Sequence, residues 1–146
     1  MSEEEDVIKF FGFNHPLSNF YESPFRIGDI IYPTVEHYFQ SNKTDSPDES
    51  FEILMADTPK KAKLLGRYVE YLKDGWDIRR NKYMYDGVRA KFSQNPKLKQ
   101  YLLETGEKKL VENSIYDEYW GIGRTGDGRN MAGKILMKVR EDLKEV

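Results

Sequence analysis

Apolar positions along the chain fall into two kinds of pattern. Near the start they form short runs: one at residues 7–11, then Phe25-Arg26-Ile27 and Ile30-Ile31-Tyr32 on either side of Gly28-Asp29. Runs of this length bounded by turn formers predict a strand over 7–11 and a small hairpin over 25–32, with Gly first in its two-residue turn. Between them, residues 13–23 carry Asn14, Pro16, Ser18, Asn19 and Ser23 and read as a loop. Downstream the pattern becomes helical. Thr34 is placed to cap a helix running to about Asn42. Ser46-Pro47-Asp48-Glu49 offers a cap, a Pro at the first helical position and a Glu to close a capping box, so a helix runs from there to about Ala56. Thr58-Pro59 opens another that ends at Gly66. Asp74-Gly75 breaks the chain before a long helix from Trp76 to about Ser93. Asn95-Pro96 caps the next, which stops at Gly106. Lys109–Glu112 suits a short strand. Residues 121–128 form a loop with four glycines, after which Asn130 opens a last helix with Ile135, Leu136, Val139 and Leu143 on its apolar side. The expected fold is mainly α, with a few short strands near the N-terminus.

Composition narrows the functional classes. With 146 residues the chain suits one domain over 1–146, its acidic first six residues frayed. A formal net charge of −2 argues against a uniformly basic coat for nucleic acid. The absence of cysteine excludes disulfides, thiolate zinc sites and Cys nucleophiles. No apolar run approaches the roughly 20 residues of a membrane span, and the acidic start is the reverse of a signal peptide. The expected location is the cytoplasm. Aromatics are dense early: nine of the 20 lie in the first 40 residues, as core or as a surface that stacks on flat ligands.

Three stretches carry candidate chemistry. In the helix after Thr34, Glu36, Gln40 and Lys43 fall at i, i+4 and i+7 and share one face. Glu36 sits in the first turn, where the helix dipole favours a carboxylate able to act as general base or stabilise a developing cation. Lys43 could grip phosphate or, if desolvated, attack a sugar aldehyde. An ordinary solvated face is the commoner reading of such spacing. The two histidines, His15 and His37, have no metal-ligand spacing, and His37 reads as structural.

The glycine stretch Gly121-Ile122-Gly123-Arg124-Thr125-Gly126-Asp127-Gly128-Arg129-Asn130 precedes a helix start. It fits a phosphate cradle or a plain flexible loop, and it is neither a P-loop nor a dinucleotide fingerprint. Finally, Arg79, Arg80, Lys82, Arg89, Lys91, Lys97 and Lys99 face only Asp86, a local charge of +6. Nucleic-acid contact is one reading. Exposed faces balanced by Asp45, Asp48, Glu49, Glu52 and Asp57 are the other. Trp76 and Trp120, each beside a glycine, are core residues or base stackers.

Taken in order, several blocks resemble the YbiA-like family, also called NADAR. They are Leu17-Ser18-Asn19-Phe20-Tyr21; Tyr32-Pro33-Thr34-Val35-Glu36-His37-Tyr38-Phe39-Gln40 with Lys43; Leu65-Gly66-Arg67; Trp76; Met84; and Arg89-Ala90-Lys91-Phe92. Leu110-Val111-Glu112, Asp117, Tyr119-Trp120-Gly121-Ile122-Gly123 and Gly128-Arg129-Asn130-Met131-Ala132-Gly133-Lys134 complete the set, which spans about residues 9 to 143. Met131-Ala132-Gly133 departs from the family's usual Leu-Gly pair.

The resemblance implies a single-domain YbiA-like fold and a hydrolase acting on N-glycosyl bonds. The implied substrates are ribosylamino-pyrimidine phosphates of riboflavin biosynthesis or, alternatively, ADP-ribose on guanine in DNA or RNA. A non-catalytic nucleotide-binding module is a third reading. The hydrolase reading implied by the resemblance casts Glu36, Lys43 and Asp117 as catalytic. Ser18, Asn19, Phe20, Arg67, Trp76, Trp120, Gly121, Gly123 and Asn130 become substrate contacts, and neither cofactor nor metal is needed. Such a reaction has an oxocarbenium-like transition state, which a carboxylate near the anomeric carbon stabilises.

Overall fold

The computed structural model describes residues 6–144, so most of the expected frayed start lies outside the described residues. Helices dominate. In chain order the elements are β1 (Val7–Phe10), β2 (Phe25–Ile27), β3 (Ile30–Tyr32), α1 (Val35–Ser41), α2 (Pro47–Leu54) and α3 (Pro59–Arg67), then α4 (Trp76–Gln94), α5 (Pro96–Glu104), β4 (Lys109–Glu112) and α6 (Met131–Leu143). None of these helices is long and apolar enough to cross a membrane.

The hairpin forms as its sequence predicts. β2 and β3 pair antiparallel with Ile27 opposite Ile30, and Gly28 takes the positive φ that the tight turn requires. The late strand β4 also forms, but it does not join the hairpin. It pairs parallel with β1, Val7 opposite Lys109 and Phe10 opposite Glu112. The few strands are therefore not confined to the N-terminal region.

Three of the five expected caps use their side chains as predicted. Thr34, Ser46 and Thr58 accept the amides of His37, Glu49 and Lys61, each satisfying one of the free N–H groups of a helix start. Glu49 does not close the capping box. Its carboxylate accepts the Thr44 hydroxyl and the backbone amides of Glu70 and Tyr71, tying α2 to the segment after α3. Asn95 does not cap α5 either, because its amide donates back to Lys91 O (2.7 Å) and Pro24 O (3.3 Å).

Asn130 marks the start of α6 without capping it. Its backbone is left-handed, at φ 52°. That geometry sends the side chain to the neighbouring strand, where Oδ1 accepts the Glu112 N–H (2.9 Å) and Nδ2 donates to Leu110 O (3.0 Å). Asn130→Ala removes two bonds from a buried site and leaves a Cβ-bearing residue in a backbone state that Asn tolerates better. A loss of about 2–4 kcal/mol is expected, read by denaturant unfolding.

α1 is the centre of the molecule, and every one of its residues is buried. It packs on α2, α3 and α4, while α4 packs in turn on α5 and α6 and α6 lies against β4. Gly87 lets α4 approach closely: a Cβ there would lie 2.8 Å from Tyr38 and 3.3 Å from Val35. Around this crossing Phe25 stacks on Tyr32, Tyr32 meets Tyr38 edge-on at 4.9 Å, and Phe39 touches Trp76 and Trp120 at 5.1 and 5.4 Å. Much of the early aromatic density is thus core. His37 is structural, as its sequence context suggests. Its ring nitrogens meet Thr34 Oγ1 (2.8 Å) and Ala56 O (2.9 Å).

Candidate active site

The face of α1 that could have been solvated is instead buried and carries a carboxylate. Glu36 is 6% exposed. Its backbone N–H donates to Asn19 O (3.1 Å), so the loop before β2 closes over the first turn of α1. One carboxylate oxygen, Oε2, accepts from Gln40 Nε2 at 2.7 Å. Gln40 itself is wedged against α3, where a Cβ on Gly66 would fall 1.9 Å from its Oε1. Only glycine at this position leaves room for the Gln40 side chain that orients Glu36.

Charged groups gather round this point. Burial raises the Glu36 pKa; the Gln40 hydrogen bond and the positive charges of Lys63 and Lys43 oppose the rise, and the negative charge of Asp117 adds to it. Lys43, half-buried just beyond α1, is lowered by burial, opposed by Glu36 and reinforced by Arg67. Glu112, at the end of β4, is pushed up to about 7 by burial together with the charges of Asp117 and Glu36. Asp117 is held by its own turn: Oδ1 accepts the amides of Tyr119 (2.9 Å) and Trp120 (2.8 Å).

Three carboxylates and three cations therefore share one electrostatic neighbourhood, and among the described residues none of the six closes to a direct ion pair. The ion pairs of the described chain are Lys82–Asp86, Lys138–Asp142 and Lys144–Glu141, each along a single helix or its end. A buried charge is normally neutralised by contact. Charges held near one another without contact suit a site that a polar ligand completes.

The structure brings together Glu36, Lys43, Asp117 and Arg67 among the residues singled out in the sequence, with Asn19 at the Glu36 amide. Phe20 lies beside them, with Lys63 Nζ 5.9 Å from its ring centre. Two further members, Glu112 and Lys63, are not among the expected site residues, although Glu112 ends one block of the family pattern. Lys63 stands four residues before Arg67 on α3, a spacing that places both on one face. Glu112 ends a short strand and carries no such local mark.

Other expected contacts lie elsewhere. Trp76 is in the core, stacked on Tyr83 at 5.5 Å. Ser18 is buried, with its hydroxyl accepting the Phe20 amide. Asn130 is spent on β4. Trp120 is half-buried, edge-on to Phe39 and Tyr119.

The glycine stretch is not an open phosphate cradle. The amides of Ile122, Gly123, Gly126, Gly128, Arg129 and Asn130 donate to carbonyls of Glu112, Ser114, Gly123, Ile122, Glu118 and Gly121 respectively. Even the start of α6 is stoppered, with Met131 and Ala132 donating to Tyr119 O and Trp120 O. Carbonyls occupy the places an anion would take. Gly121 and Gly128 instead allow close backbone packing, since a Cβ on Gly128 would lie 2.5 Å from Gly121 O.

The basic run from Arg79 to Lys99, on α4 and α5, is not one exposed face. Lys91 is fully buried and Lys82 is paired with Asp86. None of the acidic residues expected to balance the run pairs directly with it among the described residues. No group of three or more His, Asp or Glu side chains there converges with metal-ligand geometry.

Comparison with known proteins places the chain in a family. Residues 10–144 match the NADAR domain family. The chain is 35% identical over 144 residues to the N-glycosidase YbiA of Escherichia coli, covering 96% of this chain and 90% of that protein. It is 38% identical over 134 residues to an N-glycosidase of Nostoc punctiforme, covering 89% and 86%. A riboflavin biosynthesis protein of Vibrio vulnificus is 39% identical over 130 residues, which are 88% of this chain and only 35% of that longer protein. The NMR structure of E. coli YbiA superposes with a TM-score of 0.87, over 95% of this chain and 85% of that one. With the family pattern running from the first strand to the last helix, the chain belongs to the NADAR domain family.

Proposed function

We propose that the protein is an N-glycosidase that hydrolyses the bond between ribose and a nitrogenous base, with phosphorylated ribosylamino-pyrimidines as substrate. The observation that carries this reading is the buried Glu36 within a cluster of uncontacted carboxylates and cations. Glu36 takes a proton from water as the water oxygen bonds to the anomeric carbon, and its charge offsets that of the oxocarbenium-like ring. The C–N bond breaks, and the leaving nitrogen takes its proton from Glu112. Asp117, fixed through one oxygen, helps keep that proton on Glu112 by its charge. Lys43, Lys63 and Arg67 supply the grip on phosphate that the glycine stretch does not, and Phe20 offers a face to the base.

Two relatives named N-glycosidases support the reaction, and one named a riboflavin biosynthesis protein supports the substrate. ADP-ribosyl-guanine in nucleic acid is the alternative substrate. The broken basic run of α4 and α5 offers an extended polyanion no continuous track, which favours the compact substrate. Incubation with both substrates, followed by mass spectrometry, separates the readings. Release of ribose phosphate supports the first, release of ADP-ribose the second, and tight binding without release a nucleotide-binding module.

Glu112 also sets a pH dependence. Its carboxyl holds a proton below about 7 and loses it above. Activity should therefore fall as pH rises through that value. Glu112→Gln, which cannot give up a proton, should lower kcat and flatten this alkaline limb of the kcat profile. A limb unchanged in the variant would assign the titration to another group.

A further inference from the structure

Lys91 is the cation of α4 that never reaches solvent. It is 1% exposed and, among the described residues, has no carboxylate within ion-pairing distance. Its ammonium donates to two backbone carbonyls of one loop, Pro16 O at 2.6 Å and Ser18 O at 2.9 Å. The rings of Tyr21 and Phe92 lie 5.5 and 4.9 Å from Nζ. Burial pulls the amine down to about 7, so this placement carries a real desolvation cost.

What that cost secures is the polar hold on a loop whose apolar anchor is Leu17, buried in the core between the two carbonyls. Ser18 and Tyr21 make turn bonds within the loop, to His15 O and Ser18 O. Asn19 Nδ2 reaches only the thioether of Met84. Yet Asn19 O, one residue beyond the Lys91 contact, receives the Glu36 N–H, and Phe20 follows it.

We infer that Lys91 is a positioning residue: by drawing the carbonyls of Pro16 and Ser18 onto α4 it fixes the Asn19 carbonyl, and through it the placement of Glu36 and Phe20. The effect on turnover rests on Glu36 acting as proposed; the effect on the loop does not. Lysine suits the task because one ammonium satisfies two diverging carbonyls, and charge-assisted bonds are stronger than neutral ones.

The test is Lys91→Met, which keeps the length and apolar body and removes every donor. Leu102→Ala is the control, a buried deletion on α5, which packs on α4 and α6. At a temperature where both fold, Lys91→Met should lower kcat by roughly tenfold or more, the scale of one charge-assisted hydrogen bond. It should also shift the backbone amide resonances of Ser18, Asn19 and Glu36. Leu102→Ala should lower the melting temperature while leaving kcat and those resonances in place. Lys91→Gln, which retains donors on a shorter arm, should recover part of the loss.

Unmoved Asn19 and Glu36 resonances in Lys91→Met would overturn the inference, as would kcat losses matched by the control. Failure of both Lys91 variants to fold would also overturn it, assigning Lys91 to folding alone. Shifted resonances with unchanged kcat would uphold the clamp and count instead against the role of Glu36.

Discussion

Glu36→Gln should leave the fold and most substrate binding intact while slowing turnover by about 10²–10⁴, the usual scale for losing a general base. The substitution is nearly isosteric, and the new amide carbonyl can still accept from Gln40, so the geometry round Gly66 survives. What disappears is the charge. The same variant should be more stable than the parent at neutral pH. Burial raises the Glu36 carboxyl above its unfolded value, so the parent loses stability as pH climbs through the folded pKa. Below the unfolded pKa of about 4.3 the carboxyl is protonated in both states and the advantage of Gln vanishes. Thermal unfolding across that range, beside single-turnover rates, measures both halves. Turnover equal to the parent's would remove Glu36 from the chemistry.

Lys43→Ala should lower kcat/KM by roughly 10- to 100-fold, the cost of one hydrogen bond to a charged group. A further experiment separates grip from chemistry. Burial and Arg67 hold the Lys43 amine below its ordinary pKa, which raises its share of free base. A free amine can condense with the aldehyde of an opened ribose, forming an imine and releasing water. Borohydride added during turnover would reduce that imine to a stable secondary amine, seen as added mass on the intact protein and absent from Lys43→Ala. No added mass on the intact protein would confine Lys43 to binding.

Local order in the chain made much of this readable. The caps at Thr34, Ser46 and Thr58, the Gly28 turn and the i, i+4 pairing of Glu36 with Gln40 depend on neighbours a few residues away, and the structure keeps them. Glu112 lies in a block of the family pattern, but its nearness to Glu36 was not legible, for the opposite reason. It matters because parallel pairing with β1 and the loop from Asp117 carry it to Glu36, and neither fact is local. The polar side chains that misled did so in a common way. Glu49, Asn95 and Asn130 have the residue types of helix ends, but each side chain is used instead on backbone groups beyond the helix it was expected to cap or box. The glycines after Trp120 looked like open amides. Once the chain folds, carbonyls of the loop and of Ser114 take the amides of Gly123, Gly126 and Gly128.

The pairing of β1 with β4 has a consequence for when this site can exist. Val7 and Lys109 are neighbours in space and roughly a hundred residues apart in the chain. Closing so long a loop is entropically slow compared with forming helices. During synthesis β1 leaves the ribosome early and waits for its partner until most of the chain has followed. Glu36 and Gln40 can meet while α1 is still young, but Glu112 reaches them only after this last closure. A half-made or partly unfolded chain would thus hold Glu36 without the proton donor proposed for it, and on that reading chemical competence should appear as one of the final events of folding.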